Sequence, residues 1–375
     1  MKILCMNPDL KYKVALTMVK GVGPLIAKKL ISSFGNAEMI FRSSRKSLET
    51  VPGVGGILAE QIKKPGLLER AERELSFMDK IGGDVVCFED PDYPNRLRDC
   101  EDLPIVLYRK GSMKVNANRV LGVVGTRKMT SYGKKMVEEI LEGLACRFPD
   151  LLVISGLAYG VDGCAHRKAV ELGLPSIGVV GHGLDMLYPA EHRTLANRLM
   201  QNGGLLSEFH SKSIIDRKNF VSRNRIIAGM SDVVLVVESG MKGGALLTAE
   251  FANSYNRDVC AVPGRVGDIY SMGCNQLIKS NRAVMVESSD DIIELMNWDA
   301  EQESKGKVPV AISTLLNLTE KERLVVSALE IEDKMQVNHM SRKLQISMGE
   351  LSSLLFEMEM RDLVMSLPGG VYTLK

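Results

Sequence analysis

Between residues 119 and 286, seven short apolar, β-branched runs recur, each separated from the next by a helical stretch: LGVVG, LLVIS, SIGVVG, GLLSE, DVVLVVE, DVCAVPG and AVMVE. The runs are apolar almost throughout rather than alternating, so both faces of each strand must be covered. Strands of that kind, interleaved with helices, form a doubly wound, mostly parallel α/β sheet. The preceding segment, 83–112, carries VVCF and PIVLY and is expected to add strands at the sheet edge, at positions the pattern does not fix.

The flanks follow other rhythms. Gly21-Val22-Gly23 and Gly53-Val54-Gly55-Gly56 each precede a helical apolar pattern (Leu25, Ile26, Leu30 and Ile57, Leu58, Ile62), which reads as paired helix-hairpin-helix units. Their glycines either leave amides free for phosphate or merely turn the chain within a small bundle. The polar stretch DAEQESKGKVPV reads as a linker. Beyond it, Thr319 with Glu322 and Ser347 with Glu350 have capping-box spacing, and a third helix is expected at 337–344. With a terminal hairpin around Pro368-Gly369-Gly370, three helices suggest a winged helix. The expected domains are helical at 1–80, α/β at 81–298, linker at 299–314 and winged helix at 315–375.

A chain of 375 residues, 45% apolar and 25% charged, suits two or three folded domains and not a disordered one. The longest stretch without charge, 172–184, is too short for a membrane span. The start, MKILCMNPDLKYK, has no secretory h-region, so a cytoplasmic location is expected. Seven cysteines without a CxxC pair suit a reducing compartment and no zinc cluster. Forty-eight basic against 46 acidic side chains give +2, so any polyanion site must be local.

Ligands of open α/β sheets bind outside the carboxyl ends of the strands. Gly125-Thr126-Arg127, Ser155-Gly156-Leu157, Gly181-His182-Gly183, Ser207-Glu208 and Glu238-Ser239-Gly240 fall at five such ends, where small residues let backbone amides approach phosphate. Just before DVVLVVE, Lys212, Arg217, Lys218, Arg223 and Arg225 stand against the single acid Asp216. Arg127 is expected to join this basic patch, with Phe220 as a stacking surface; that combination suits single-stranded nucleic acid. GxGxxG after the first strand, GxxxxGK[ST], HExxH and GxSxG are absent, so no catalytic residue, metal ligand or cofactor is assigned. Asp162 and His166 lie i,i+4 on a helix, where a structural role for His166 is favoured over catalysis.

Seven blocks, GVVGTRKMTSYG (122–133), SGLAYGVDGCAH (155–166), GHGLDMLYP (181–189), GGLLSEF (203–209), FVSRNRIIAG (220–229), GGALLTAEFA (243–252) and AVPGRVGDIYSMGCNQLI (261–278), resemble in order those of the DNA-processing protein A family, DprA or Smf. The resemblance is strong over residues 90–290. It implies an extended Rossmann-like core that binds single-stranded DNA, protects incoming DNA, acts as a homodimer and helps load the RecA recombinase during natural transformation: a binder and not an enzyme. Carried over by motif, Arg127, Arg217 or Lys218, and Phe220 would line the DNA pocket, within which Gly125, Thr126, Ser155 and Gly156 would present backbone to phosphate. Arg223 and Arg225 would either bind phosphate or pin the loop through carboxylates such as Glu208. Two departures stand out: Val221 where the family commonly has Pro, and GGALLTA in place of SGSLITA.

The alternative is a nucleotide-binding or nucleotide-processing protein like the phosphoribohydrolases. Their PGGxGTxxE motif is incomplete in the segment from Gly243 to Glu250, which lacks the glycine before Thr248 and the spacing to the acid. In the winged helix, the segment 348–361 carries Glu350, Glu357 and Glu359 against Arg361, a balance that phosphates repel. A partner-binding or structural role is expected there.

Overall fold

The computed structural model describes residues 9–214, 216–299 and 318–375; the expected linker lies, apart from Asp299, outside them. The seven apolar runs form β3 (Val120–Val124), β4 (Leu152–Ser155), β5 (Ser176–Val180), β6 (Gly203–Ser207), β7 (Val233–Val236), β8 (Asp258–Ala261) and β9 (Val284–Met285), all parallel. The segment before them supplies β1 (Asp84–Cys87) and β2 (Val106–Lys110), antiparallel to each other, and β2 pairs antiparallel with β6. The sheet order is β1-β2-β6-β5-β4-β3-β7-β8-β9. This is a mixed, mostly parallel α/β fold.

Helices cover both faces of β3 to β8, as the unbroken apolar strands demand, but the edge strand β9 departs from that expectation, with Val284 and Met285 about half exposed. Ile226, Ile227 and Met230, with Ala245 and Ala249, pack on one side against Val124, Ile154, Val179 and Val236. Val137, Ile140, Leu144 and Ala165 pack on the other against Leu121, Val123, Val153 and Leu235. Alternate residues of one strand thus enter opposite cores.

The amino-terminal unit consists of α1 (Leu10–Thr17), α2 (Pro24–Phe34), α3 (Ala37–Arg42), α4 (Arg45–Leu48), α5 (Gly56–Ile62) and α6 (Leu67–Lys80). It shares a core with β1 and β2, in which Leu75 and Met78 meet Val85, Val106 and Tyr108. Its two glycine hairpins are reciprocal: a Cβ on Gly21 would lie 3.3 Å from Leu58 Cδ1 and one on Gly53 2.8 Å from Ile26 Cδ1. Both glycines have positive φ, +95° and +94°, so each hairpin needs its glycine for the turn as well as for space.

The carboxy-terminal winged helix packs a separate core of Val325, Leu329, Met340, Leu351, Leu355 and Met358. Thr319 and Glu322 cap its first helix reciprocally, as the spacing predicts. Ser347 accepts from the Glu350 amide, while the Glu350 carboxylate turns to Lys321 instead. The domain rests on the α/β unit through polar contacts: Arg342 to Asp99 (2.6 Å), Asn256 to Asn338 (3.0 Å) and the Gly369 amide to Asp258 (2.6 Å). Its third helix, Met348–Met360, leaves Phe356 and Met360 63% and 73% exposed.

Candidate nucleic-acid interface

From β3 the chain builds β4, β5 and β6 to one side and β7, β8 and β9 to the other, so the strand order reverses between β3 and β7. The carboxyl edge of such a reversal is where open α/β sheets hold ligands. A cavity of about 660 Å³ opens there. Its floor is Val124 at the end of β3 with the turn 125–127 that follows, and Ser239 and Gly240 after β7. One wall is the helix Arg217–Met230, and the rim includes Lys242 and Tyr188.

The floor is held rigidly. The Thr126 amide donates to the Glu238 carbonyl (2.7 Å), and the Thr126 carbonyl accepts from the Val161 amide (3.2 Å). The Glu238 carboxylate, itself buried, accepts from the Thr130 amide and hydroxyl (2.9 and 2.5 Å). These bonds fix the turn and leave the Arg127 side chain exposed. Its guanidinium carbon stands 5.8 Å from the centroid of the Phe220 ring. Phe220 in turn meets Tyr188 edge-on, with centroids 5.8 Å apart. Phe220 is half-buried and Tyr188 is 43% exposed, so the pair presents an aromatic surface at the mouth.

Arg127, Arg217 and Lys242 reach this cavity, and none forms an ion pair with another described residue. Arg223 differs. It is buried, and its Nη1 donates to the carbonyls of Gly156 and Val179, tying the ends of β4 and β5 together. Burial pushes its pKa down to about 10, and the nearby Asp162 opposes that shift. Burial pushes the Asp162 carboxyl up, against the Arg223 charge and a bond from the Ala158 amide. The helix containing Asp162, Val161–Glu171, and the helix Gly244–Ser254 both begin at the cavity, turning their positive ends toward it.

The structure therefore divides the sequence-expected residues. Gly125, Thr126, Arg127, Arg217, Phe220 and Arg223 line the cavity together. Ser155 and Gly156 lie beneath it, the Ser155 hydroxyl donating to the Val123 carbonyl and the Gly156 carbonyl accepting from Arg223. Lys218 is exposed on the first turn of its helix, outside the lining. Arg225 faces away, buried between Glu208 and Asp102, with Nη1 2.8 Å from the Asp102 carbonyl. Burial pushes the Glu208 carboxyl up while Arg225 pulls it down.

Asp162 and His166 do not work as a pair. His166 Nδ1 lies 2.8 Å from the Ser176 hydroxyl, and burial pushes its pKa down to about 3. Glu250, the acid of the nucleotide-processing alternative, is exposed, 3.7 Å from Arg282, and outside the cavity lining.

Tyr188 and Lys242 belong to the site without having been singled out in the sequence. Tyr188 is the penultimate residue of the GHGLDMLYP block, and Lys242 stands between Gly240, after β7, and the Gly243-Gly244 pair that opens the next helix. A clearer signal lay in the helix Arg217–Met230: Arg217, Phe220, Val221, Asn224 and Ile227 recur at three- and four-residue spacing, and all five line the cavity.

Comparison with known proteins follows the same division of the chain. The family profile of DNA recombination-mediator protein A matches residues 84–297, that of the SAM-like helix-hairpin-helix tandem residues 14–64, and that of the DprA winged helix domain residues 311–370. The DNA processing protein DprA of Bacillus subtilis is 32% identical over 289 residues, spanning 75% of this chain and 94% of its own. Among solved structures, DNA processing protein A of Streptococcus pneumoniae superposes with a TM-score of 0.61 at 28% identity, covering 77% of this chain and 98% of that one. That of Helicobacter pylori, described for its single-stranded DNA binding mode, gives 0.52 at 26% identity, covering 57% and 96%. With a doubly wound core matched across most of its length and a helical unit and winged helix on either side, the chain belongs to the DNA recombination-mediator protein A family.

Proposed function

We propose that the strand-end cavity and its rim bind single-stranded DNA, and that the protein, as a homodimer, protects incoming DNA and mediates RecA loading in natural transformation and homologous recombination. The observation that carries the DNA reading is the meeting of three cations without ion-pair partners among the described residues, Arg127, Arg217 and Lys242, with the Phe220–Tyr188 aromatic pair at the point of strand reversal. Cations of that kind neutralise phosphates, and an aromatic face stacks any base. Lys218 extends the charge along the outer rim. Arg223 shapes the wall by joining the ends of β4 and β5, and Arg225 supports the fold behind it. The single-stranded DNA binding named for the Helicobacter pylori relative supports the same reading.

The winged helix fits a protein partner better than a phosphate backbone. Its third helix turns Phe356 and Met360 outward, and Arg361, just beyond that helix, is paired with Glu322.

Titration of a fluorescent oligonucleotide against salt tests the core of the proposal: affinity should fall linearly on a log–log plot, as counterion release requires. Affinity independent of salt rejects the electrostatic site. Base release from nucleoside monophosphates, abolished by Glu250→Gln, would replace the binder with the nucleotide-processing alternative. The RecA step is tested by the rate of recombinase nucleation on single-stranded DNA; an unchanged rate in the protein's presence refutes mediation.

A further inference from the structure

Helix α6 buries Ala71, Glu74, Leu75 and Met78, a single stripe at helical spacing. A carboxylate on that stripe is unfavourable unless its oxygens are hydrogen-bonded, and Glu74 is only 5% exposed. Its partner comes from 137 residues away: the Ser211 amide donates to Oε1 at 2.8 Å and the Ser211 hydroxyl donates to Oε2. One turn earlier on α6, Arg70 Nη2 lies 3.4 Å from His210 Nε2.

Ser211 belongs to the connection from β6 to the cavity-wall helix. From below, the turn after β5 grips this connection. A Cβ on Gly183 would lie 2.8 Å from Ser211 Cα and overlap the His210 carbonyl, and Asp185 Oδ2 accepts from the Lys212 amide at 3.0 Å. Four residues on, Asp216 caps the wall helix by accepting from the Lys218 amide (3.0 Å). Phe220 then lies so close over Gly181 that a Cβ there would stand 3.2 Å from the Phe220 amide nitrogen. Leu184, in the same turn, packs into the core of the helical unit.

We infer that Glu74 is a positioning residue: through Ser211 the helical unit holds the connection that presents Arg217 and Phe220, so the seating of that unit is coupled to binding at the strand ends. This inference rests on the cavity being the DNA site. Glu74 itself lies outside the cavity lining and acts only through the chain it holds. Coupling is reciprocal, so bound DNA should tighten the same connection.

The test uses the full-length protein, with oligonucleotide affinity and tryptic cleavage after Lys212, Arg217 and Lys218, mapped by mass, as paired readouts. Glu74→Ala should weaken affinity about tenfold, the scale of losing hydrogen bonds to a charged group, and speed cleavage at those three sites. The salt slope should stay unchanged, because the phosphate contacts keep their number. Ser211→Ala should cost about threefold alone and nothing further in the Glu74→Ala background, since the hydroxyl then has no partner to lose. Ser211→Thr, which keeps the hydroxyl, should restore wild-type behaviour. Oligonucleotide should protect the three sites in the wild type and protect them less in Glu74→Ala.

A folded Glu74→Ala protein with wild-type affinity and cleavage overturns the inference. If Glu74→Ala fails to fold, Ser211→Ala and Glu74→Gln carry the same comparison. If Arg127→Ala and Arg217→Ala leave affinity untouched, the DNA reading of the cavity falls, and proteolysis still decides whether Glu74 holds the connection. If those two variants weaken binding and Glu74→Ala does not, only the positioning role falls.

Discussion

Replacement of Arg127 by alanine separates a binding cation from a structural one. Arg127 is exposed and forms no ion pair with another described residue, so its removal should lower stability by no more than about 1 kcal/mol, the scale of its cation–π contact with Phe220. Each phosphate neutralised on a single strand contributes about 0.7 to the slope of log affinity against log salt, so Arg127, Arg217 and Lys242 together account for a slope of about 2. Losing one makes the slope shallower by about 0.7 and weakens binding about fivefold at roughly 0.1 M salt from the counterion term alone. The guanidinium also stands 5.8 Å from the Phe220 ring within the free protein, so loss of that cation–π contact falls on stability and the expected weakening of binding stays at about fivefold. Fluorescence anisotropy with a labelled homopolymer at four or five salt concentrations measures both quantities. Arg127→Lys should retain the slope while losing part of the affinity, because an ammonium keeps the charge without the planar face. A folded Arg127→Ala protein with unchanged slope and affinity refutes the reasoning.

Three other substitutions probe the surrounding frame. Arg225→Met leaves the half-buried Glu208 without its cation and should destabilise the fold by about 3 kcal/mol in urea titration, yet leave the salt slope of the folded protein unchanged. Gly156→Ala should displace the Arg223 guanidinium, whose place its Cβ would occupy, and cost about 1–3 kcal/mol; a wild-type urea midpoint contradicts the wall assignment. His166, held near pKa 3 by burial against about 6.5 when unfolded, takes up its proton only in the unfolded chain between those values. Its contribution is fully present above pH ~6.5 and is lost as pH falls toward 3, at about 1.4 kcal/mol per unit. The urea midpoint of His166→Asn should therefore fall less steeply than that of the wild type from pH 6.5 to 5; parallel profiles exclude the effect.

The parallel strands β3 to β8 were legible because burial on both faces removes the alternation that a half-exposed strand carries, whereas β9, with Val284 and Met285 about half exposed, shows the apolar run without that burial. The places of β1 and β2 were not, since an antiparallel edge pair is located by its bonds to β6 and nothing local encodes that neighbour. The basic segment shows the same limit at finer scale. Read as a run, Lys212, Arg217, Lys218, Arg223 and Arg225 form one patch; Lys212 falls in the connection before the helix, and the other four, wound at 100° per residue, part company. Arg217 enters the cavity, Arg223 sinks into its wall and Arg225 turns to acids on the far side. Two arginines only two residues apart thus acquire different partners, a difference set by the strand-end carbonyls and by Glu208 and not by their own chemistry. Lys242 and Tyr188 escaped notice because a lone lysine and a lone tyrosine carry no pattern until the turns bearing them converge.

The reciprocal hairpins of the amino-terminal unit bear on how it must fold. Ile26 of the first fills the hollow over Gly53 of the second, and Leu58 of the second fills the hollow over Gly21 of the first. Each half thus shapes the packing surface of the other. Truncation after residue 35 would therefore yield an unstructured peptide rather than half a domain, and a bulky residue introduced at either glycine would be felt by both halves together.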